Sequence, residues 1–191
     1  MTWTTRKTAW RNEAAAALAL SALAAPASWA IEPNEFKELK IGMPYGEVTT
    51  NSAFRCAERA SLIGDQICNL KPESRQTIAG KPVASMMLNF YNKRLASIYI
   101  TVNPDDVAGI NIALADKYGE PTVRQESEFE SRGGAKLANL RTGWLGQATS
   151  LETRRYGSSA DRGVVQFTDN NNVSEYRSRM EQQRIKNAKD L

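Results

Sequence analysis

Residues 81–103 read KPVASMMLNFYNKRLASIYITVN, and two alternations run through them. Met86, Leu88 and Phe90 follow Ala84 at every second position, and Ile98, Ile100 and Val102 follow Ala96 in the same way. Side chains two apart share one face of a strand, so the stretch reads as a hairpin of two half-buried strands. The two apolar sets face the same side only when paired positions sum to an even number, as for Leu88 with Ile98. A two-residue Asn92-Lys93 turn makes that sum odd and drives one set outward. The sequence therefore predicts a three-residue connection, Asn92 to Arg94, or a bulge in one strand. The opposite face then pairs Met87 with Tyr99, Asn89 with Ser97, and Tyr91 with Leu95.

Downstream, NPDDVAGINIALADKYGEP (103–121) has the marks of a helix. Asn103 or Asp105 caps it, acids open it, and Gly119 with Pro121 closes it. Val107, Ile110, Leu114 and Tyr118 form its core-facing stripe. Upstream, LKIGMPYGEVTT (39–50) places Pro44 and Glu47 where a first helical turn favours them, which predicts a helix over 44–53. Residues 54–72, closed by two cysteines, read as irregular or short-stranded. PTVRQESEFE, ANLRTGWL, ATSLETRRY and GVVQFTD read as further short strands, with SRGGAK (131–136) a flexible link. The polar TDNNNVSE (168–175) reads as a turn, and residues 173–191 as a charged helix whose strong apolar pair is Tyr176 and Met180. Helix, antiparallel strands, helix, antiparallel strands and a C-terminal helix predict an α+β fold. It spans 31–172 as a single domain, open to division into two tandem units.

The first thirty residues stand apart from that domain. Arg6, Lys7 and Arg11 precede the apolar AAAALALSALAA (14–25) and the small-residue stretch PASWA, the order of a secretory signal. Cleavage fits after Ala30 or after Ala27, and the apolar run is short of the ~20 residues a membrane span needs. Residues 1–30 carry three basic side chains and one acidic, Glu13, so their removal takes the net charge from +4 to +2. It also removes Trp3, Trp10 and Trp29 and leaves Trp144. Residues 31–120 hold 10 basic and 11 acidic side chains, and residues 121–191 hold 12 and 9. Neither half has the concentrated positive charge of a nucleic-acid binder. Cys56 and Cys68 are the two cysteines, and in an exported chain such a pair is expected to form a disulfide. Their spacing is not the Cys-x-x-Cys of a redox pair.

The chain has no histidine, which removes Ser-His-Asp and Cys-His catalysis and histidine-ligated zinc. IAGKPVAS has the Gly-Lys of a phosphate loop, but the earlier glycine it requires is Arg75. Counted from Asp169 as a calcium loop, the fifth and sixth positions are Val173 and Ser174 in place of an oxygen ligand and a glycine. No cofactor is called for. Glu126, Glu128 and Glu130 lie two apart on one strand face, opposite Phe129. They read as a solvated face, with paired-carboxylate chemistry as the alternative.

GMPYGEV (42–48) resembles the Gly-Met-x-x-x-x-Val start of BamE/SmpA-type outer-membrane assembly proteins. KYGEP (117–121) resembles the Leu-Gly-x-Pro stretch that ends a helix in that group. The resemblance implies a periplasmic domain of helix–strand units, as in β-lactamase inhibitor protein, where two such units lie side by side. The chain lacks the lipidated cysteine of the assembly lipoproteins. On this reading Gly42 and Pro44 only start a helix. The expected function is a non-catalytic periplasmic or secreted binding module. It contacts a protein or envelope polymer through Met87, Asn89, Tyr91, Ser97, Tyr99 and Trp144, among which Met, Tyr and Trp are types enriched in interface cores. The alternative is a histidine-free glycan hydrolase using Glu126, Glu128 or Glu130.

Overall fold

The central hairpin resolves its register with a bulge. The structure, a computed structural model, describes residues 31–61, 64–131 and 133–189; the expected signal segment, 1–30, lies outside them. Leu88 pairs with Ile98 and Asn89 with Ser97, but Phe90 pairs with Leu95 and Tyr91 with Arg94. Ala96 is thus the extra residue, and Asn92 and Lys93 form the two-residue turn at φ +48° and +59°. The bulge keeps Phe90, Leu95, Ile98 and Ile100 on one face, all buried. It also corrects the expected Tyr91–Leu95 pair.

In chain order, β1 (Glu35–Phe36) and β2 (Leu39–Lys40) precede α1 (Tyr45–Thr49). Then come β3 (Phe54–Ser61), β4 (Gly64–Leu70), a small hairpin of β5 (Thr77–Ile78) and β6 (Lys81–Pro82), β7 (Ser85–Tyr91) and β8 (Arg94–Val102). A 3₁₀ turn, Pro104–Asp106, leads into α2 (Val107–Tyr118), followed by β9 (Val123–Glu130), β10 (Lys136–Leu145), β11 (Thr149–Arg154), β12 (Gly163–Asp169) and α3 (Asn170–Lys189). Eight strands form one antiparallel sheet in the order β3-β4-β7-β8-β12-β11-β10-β9. Two four-stranded meanders therefore meet along the β8–β12 seam, with Ile98 opposite Phe167 and Ile100 opposite Val165.

This architecture overturns the α+β expectation. Among the described residues the chain is mostly β, one large antiparallel sheet with three α-helices, rather than helices and strands in alternating blocks. Two local causes account for the difference. First, α1 has five residues where ten were expected. The Thr49 and Thr50 hydroxyls donate back to the Gly46 and Glu47 carbonyls at 2.9 and 2.7 Å, and such residues end a helix readily. Second, within residues 54–72, expected to be irregular or short-stranded, Phe54–Ser61 and Gly64–Leu70 are two long paired strands, and Val123–Glu130 with Lys136–Leu145 form a long hairpin. SRGGAK is the turn of that hairpin and not a loose link: Ser131 N donates to Ala135 O at 2.9 Å and Gly134 takes φ +80°. TDNNNVSE is a helix start, where Asp169 Oδ1 accepts from Asn171 N at 2.9 Å. Accordingly α3 begins at Asn170, ahead of the expected 173, with no linker after β12.

One face of the sheet carries the core. Leu88, Phe90, Ile98, Ile100, Leu151 and Phe167 pack with Val48 of α1, and with Val107, Ile110, Leu114 and Tyr118 of α2. Each large side chain fully buried there contributes ~1.5–3 kcal/mol. Asn103 caps the 3₁₀ turn, its side chain accepting from Asp105 N at 3.0 Å, and Gly119 ends α2 at φ +84°. The Gly-Met-Pro stretch is a joint: Gly42 N donates to Leu95 O, Leu95 N to Met43 O, and Tyr45 N to Lys93 O. It fastens α1 to the start of β8, with Tyr45 edge-on to Phe90 at 5.1 Å.

Two fastenings hold the periphery. Cys56 and Cys68 are cross-strand partners in β3 and β4 and are disulfide-bonded. At the other end of the sheet, the Glu32 carboxylate straps the N-terminal segment to the β10–β11 turn. Its Oε1 accepts from Thr149 N (2.6 Å), Ala148 N (2.8 Å) and Thr149 Oγ1 (3.0 Å), and its Oε2 from Gln147 N (3.2 Å). Partial desolvation works to raise its pKa, but the bonds from Thr149, Ala148 and Gln147 outweigh it and hold the carboxyl below its ordinary value.

Candidate functional site

The face opposite the core is built from rows that run across the strands. Because paired residues share a face, the register carries one row from Asn69 through Met87, Tyr99, Gln166 and Glu152 to Gly143. A second runs from Ile67 through Asn89, Ser97, Thr168 and Ser150 to Leu145, and a third from Ser85 through Thr101, Val164 and Arg154 to Arg141. Side chains in a row stand ~4.8 Å apart, so a largely polar lattice results, interrupted by Ile67, Met87, Val164 and Leu145. Asn89 Nδ2 donates to Ser97 Oγ at 3.0 Å, and the Ser85 and Thr101 hydroxyls lie 2.7 Å apart.

Two features break the lattice. Glu152 sits between two guanidinium groups, 2.5 Å from Arg141 Nη2 and 3.0 Å from Arg154 Nε. The hydrogen bond and charge of Glu152 raise the Arg141 pKa. Beside them Gly143 has no side chain, and a depression of about 430 Å³ opens among Val123, Arg141, Glu152, Arg154 and Gln166. A Cβ at residue 143 would lie 3.4 Å from that of Val123. At the other side of β12 the loop 155–162 folds over Val164, which is buried, and Gly157 approaches the Tyr99 hydroxyl.

Of the expected binding residues, Met87, Asn89, Ser97 and Tyr99 are neighbours on this outer face. Tyr91 lies on it too, at the hairpin tip opposite Arg94. Trp144 does not join them. It pairs with Leu151 on the core face, is 3% exposed, and donates from Nε1 to Gly119 O at 2.7 Å. It holds the end of α2 to β10. Sequence reasoning missed Arg141, Glu152, Arg154 and Gln166. The spacing of Glu152 and Arg154 places them on one strand face, but which strands lie beside β11 has no local signal.

The acidic row lies elsewhere. Glu126 and Glu128 line a groove of about 750 Å³ between α2 and the β9–β10 hairpin, with Asp105 also in its wall. Glu128 is tied to Lys136 at 3.2 Å and Asp105 to Arg155 at 3.2 Å. Glu130 pairs across from Lys136, and Phe129 turns to the other face against Tyr156, ring centroids 5.6 Å apart. Among the described residues no group of three or more Cys, Asp or Glu is placed to hold a metal ion, and no helix is long and apolar enough to cross a membrane.

No protein family, curated protein or solved structure matches this chain. The likeness of the Gly-Met-Pro and Lys-Tyr-Gly-Glu-Pro stretches to BamE/SmpA-type domains rests on those residues alone.

Proposed function

We propose that the chain is an exported, non-catalytic binding module that holds a protein partner on the outer face of its sheet. One observation carries this reading. Every large fully buried side chain of the central strands apart from Val164 lies on one face, while the other presents Met87 and Tyr99 beside the Arg141–Glu152–Arg154 cluster and the Gly143 depression. Thioether, phenol and guanidinium groups in one patch supply what interface cores use. Export is supported by the charged, apolar and small-residue order of residues 1–30 and by the Cys56–Cys68 disulfide, which persists in oxidising compartments. The test is capture from envelope extract by the tagged mature chain, repeated with Tyr99→Ala and with Arg154→Ala. The expected result is a protein retained by the unaltered chain and lost by both variants. Retention undiminished by both overturns the reading, and a polysaccharide in place of a protein redirects it to envelope polymer.

The groove gives the hydrolase reading its one foothold, since Glu126 and Glu128 line it with Asp105. Release of soluble fragments from cell-wall glycan, abolished by Glu126→Gln, would establish it. Glycan left intact by the unaltered chain removes it.

A further inference from the structure

Among the described residues no strand pairs with the outer side of either β3 or β9, and these two margins of the sheet are built differently. At the β3 margin the register shifts between Glu58 and Ser61, and the strand is stapled to β4 by the disulfide. A bulge blunts an edge, and the disulfide ties this one to its neighbour. The β9 margin has neither. Eight consecutive residues pair with β10 without a break, from Val123 opposite Gly143 to Glu130 opposite Lys136. The segment contains no proline, and among the described residues no strand pairs with its other side. Alternate peptide groups of an edge strand point outward, and such an edge is a template for an added strand.

The side chains specify which strand fits. Glu126, Glu128 and Glu130 are exposed on one face, and Glu126 and Glu130 make no ion pair among the described residues. A second copy of β9 laid antiparallel about Glu128 would set Glu128 against Glu128 and Glu126 against Glu130. Like charges directly opposite are destabilising, so that register of its own copy is disfavoured, and beyond Arg124 on the same face the three carboxylates favour cationic side chains at alternate positions. The groove runs beside the same carboxylates, with Ala108 and Asn111 of α2 in its wall. It has room for the long apolar stems of Lys or Arg.

We propose that β9 is a strand-addition site for an extended basic segment of a partner protein, with Lys or Arg at every second position facing Glu126, Glu128 and Glu130. This site is separate from the outer sheet face, and its test does not depend on that reading. The probes are synthetic peptides the length of β9, alternating Lys with Thr, and the same peptide with Glu for Lys. Two further isomers of the basic peptide are N-methylated, one on the Lys amides and one on the Thr amides. In an extended chain these two sets of amides point to opposite edges, so strand addition tolerates one isomer and rejects the other. The expected result is binding of the basic peptide, slowed amide exchange confined to residues 123–130, and loss of binding for one methylated isomer only. Glu126→Gln with Glu128→Gln, both exposed, should weaken the basic peptide about tenfold at low salt and much less at high salt. Equal binding of both methylated isomers would show charge attraction without strand pairing and overturn the proposal. So would protection outside β9, equal binding of the acidic peptide, or no binding of the basic one.

Discussion

The two faces of the central strands come from the same residues read at odd and even positions, yet they obey different rules. On β8, Ile98 and Ile100 are sealed against α1 and α2, while Ser97, Tyr99 and Thr101 between them meet other polar side chains in register. The core face is held by volume, because a gap left there is not refilled. The outer face is held by pairing across strands, where each contact is worth only ~0.2–1 kcal/mol. Substitutions should therefore hurt folding on one side and recognition on the other.

The largest effect is expected on the core face. Phe167→Ala should cost about 3–5 kcal/mol and Leu88→Ala about 2–5 kcal/mol, as read from the denaturant midpoint of unfolding. A loss below about 1 kcal/mol for both would mean that the core closes around the cavity and that volume does not govern this face. Next comes the staple at the β3 margin. Reduction of Cys56–Cys68 should lower stability by about 3 kcal/mol on the chain-entropy estimate. Protein recovered from an oxidising compartment and then unfolded should show no reactive thiol before reductant is added, and a full thiol titre would refute the pairing.

A smaller effect belongs to the strap. Glu32→Ala should cost about 1 kcal/mol, the scale of a removed side-chain cap. The folded carboxyl has a depressed pKa, so its contribution is full above the unfolded pKa and disappears as pH falls through the folded one. Melting temperature should fall on acidification more steeply in the unaltered chain than in Glu32→Ala; parallel curves would remove the strap from the pH response. The smallest change in stability should follow Tyr99→Ala, about 0.5 kcal/mol, although it should abolish partner capture. Destabilisation equal to that of Leu88→Ala would make the outer face a second core.

The sequence disclosed elements wherever a residue's role is local. The alternation in residues 84–102 announced the central hairpin and left two ways to align it, a three-residue connection or a bulge, of which the chain takes the bulge, because both faces of that hairpin differ in polarity. Asn103, Gly119 and the stripe from Val107 to Tyr118 announced α2 for the same reason. The edge strands gave no such signal. VRQESEFE is exposed at six of its eight positions, so neither face enforces an apolar period, and its length as a strand shows only in its pairing with β10. The face of Trp144 was hidden for a different reason. One aromatic residue has no period of its own, and only the pairing of Trp144 with Leu151 turns it to the core. The charged cluster was hidden likewise, since Arg141 reaches Glu152 only after β10 and β11 are aligned.

The β8–β12 seam bears on how the chain reaches this structure. Within each meander, neighbouring strands are joined by turns or short connections, so their ends meet quickly and closure costs little entropy. The seam joins Ser97 to Thr168 and Thr101 to Val164, partners roughly 60–70 positions apart, and contacts of that separation slow folding. Each meander supplies its own strand pairs, and only one side each of β12 and β8 waits for the other meander. The expected route is therefore a docking of two ribbons formed first, with Ile98, Ile100, Val165 and Phe167 leaving water together in the last step; refolding in a single exponential with no missing amplitude would exclude it. Until that step each ribbon shows an apolar margin, which makes the interval before docking the period of greatest exposure to aggregation during biogenesis.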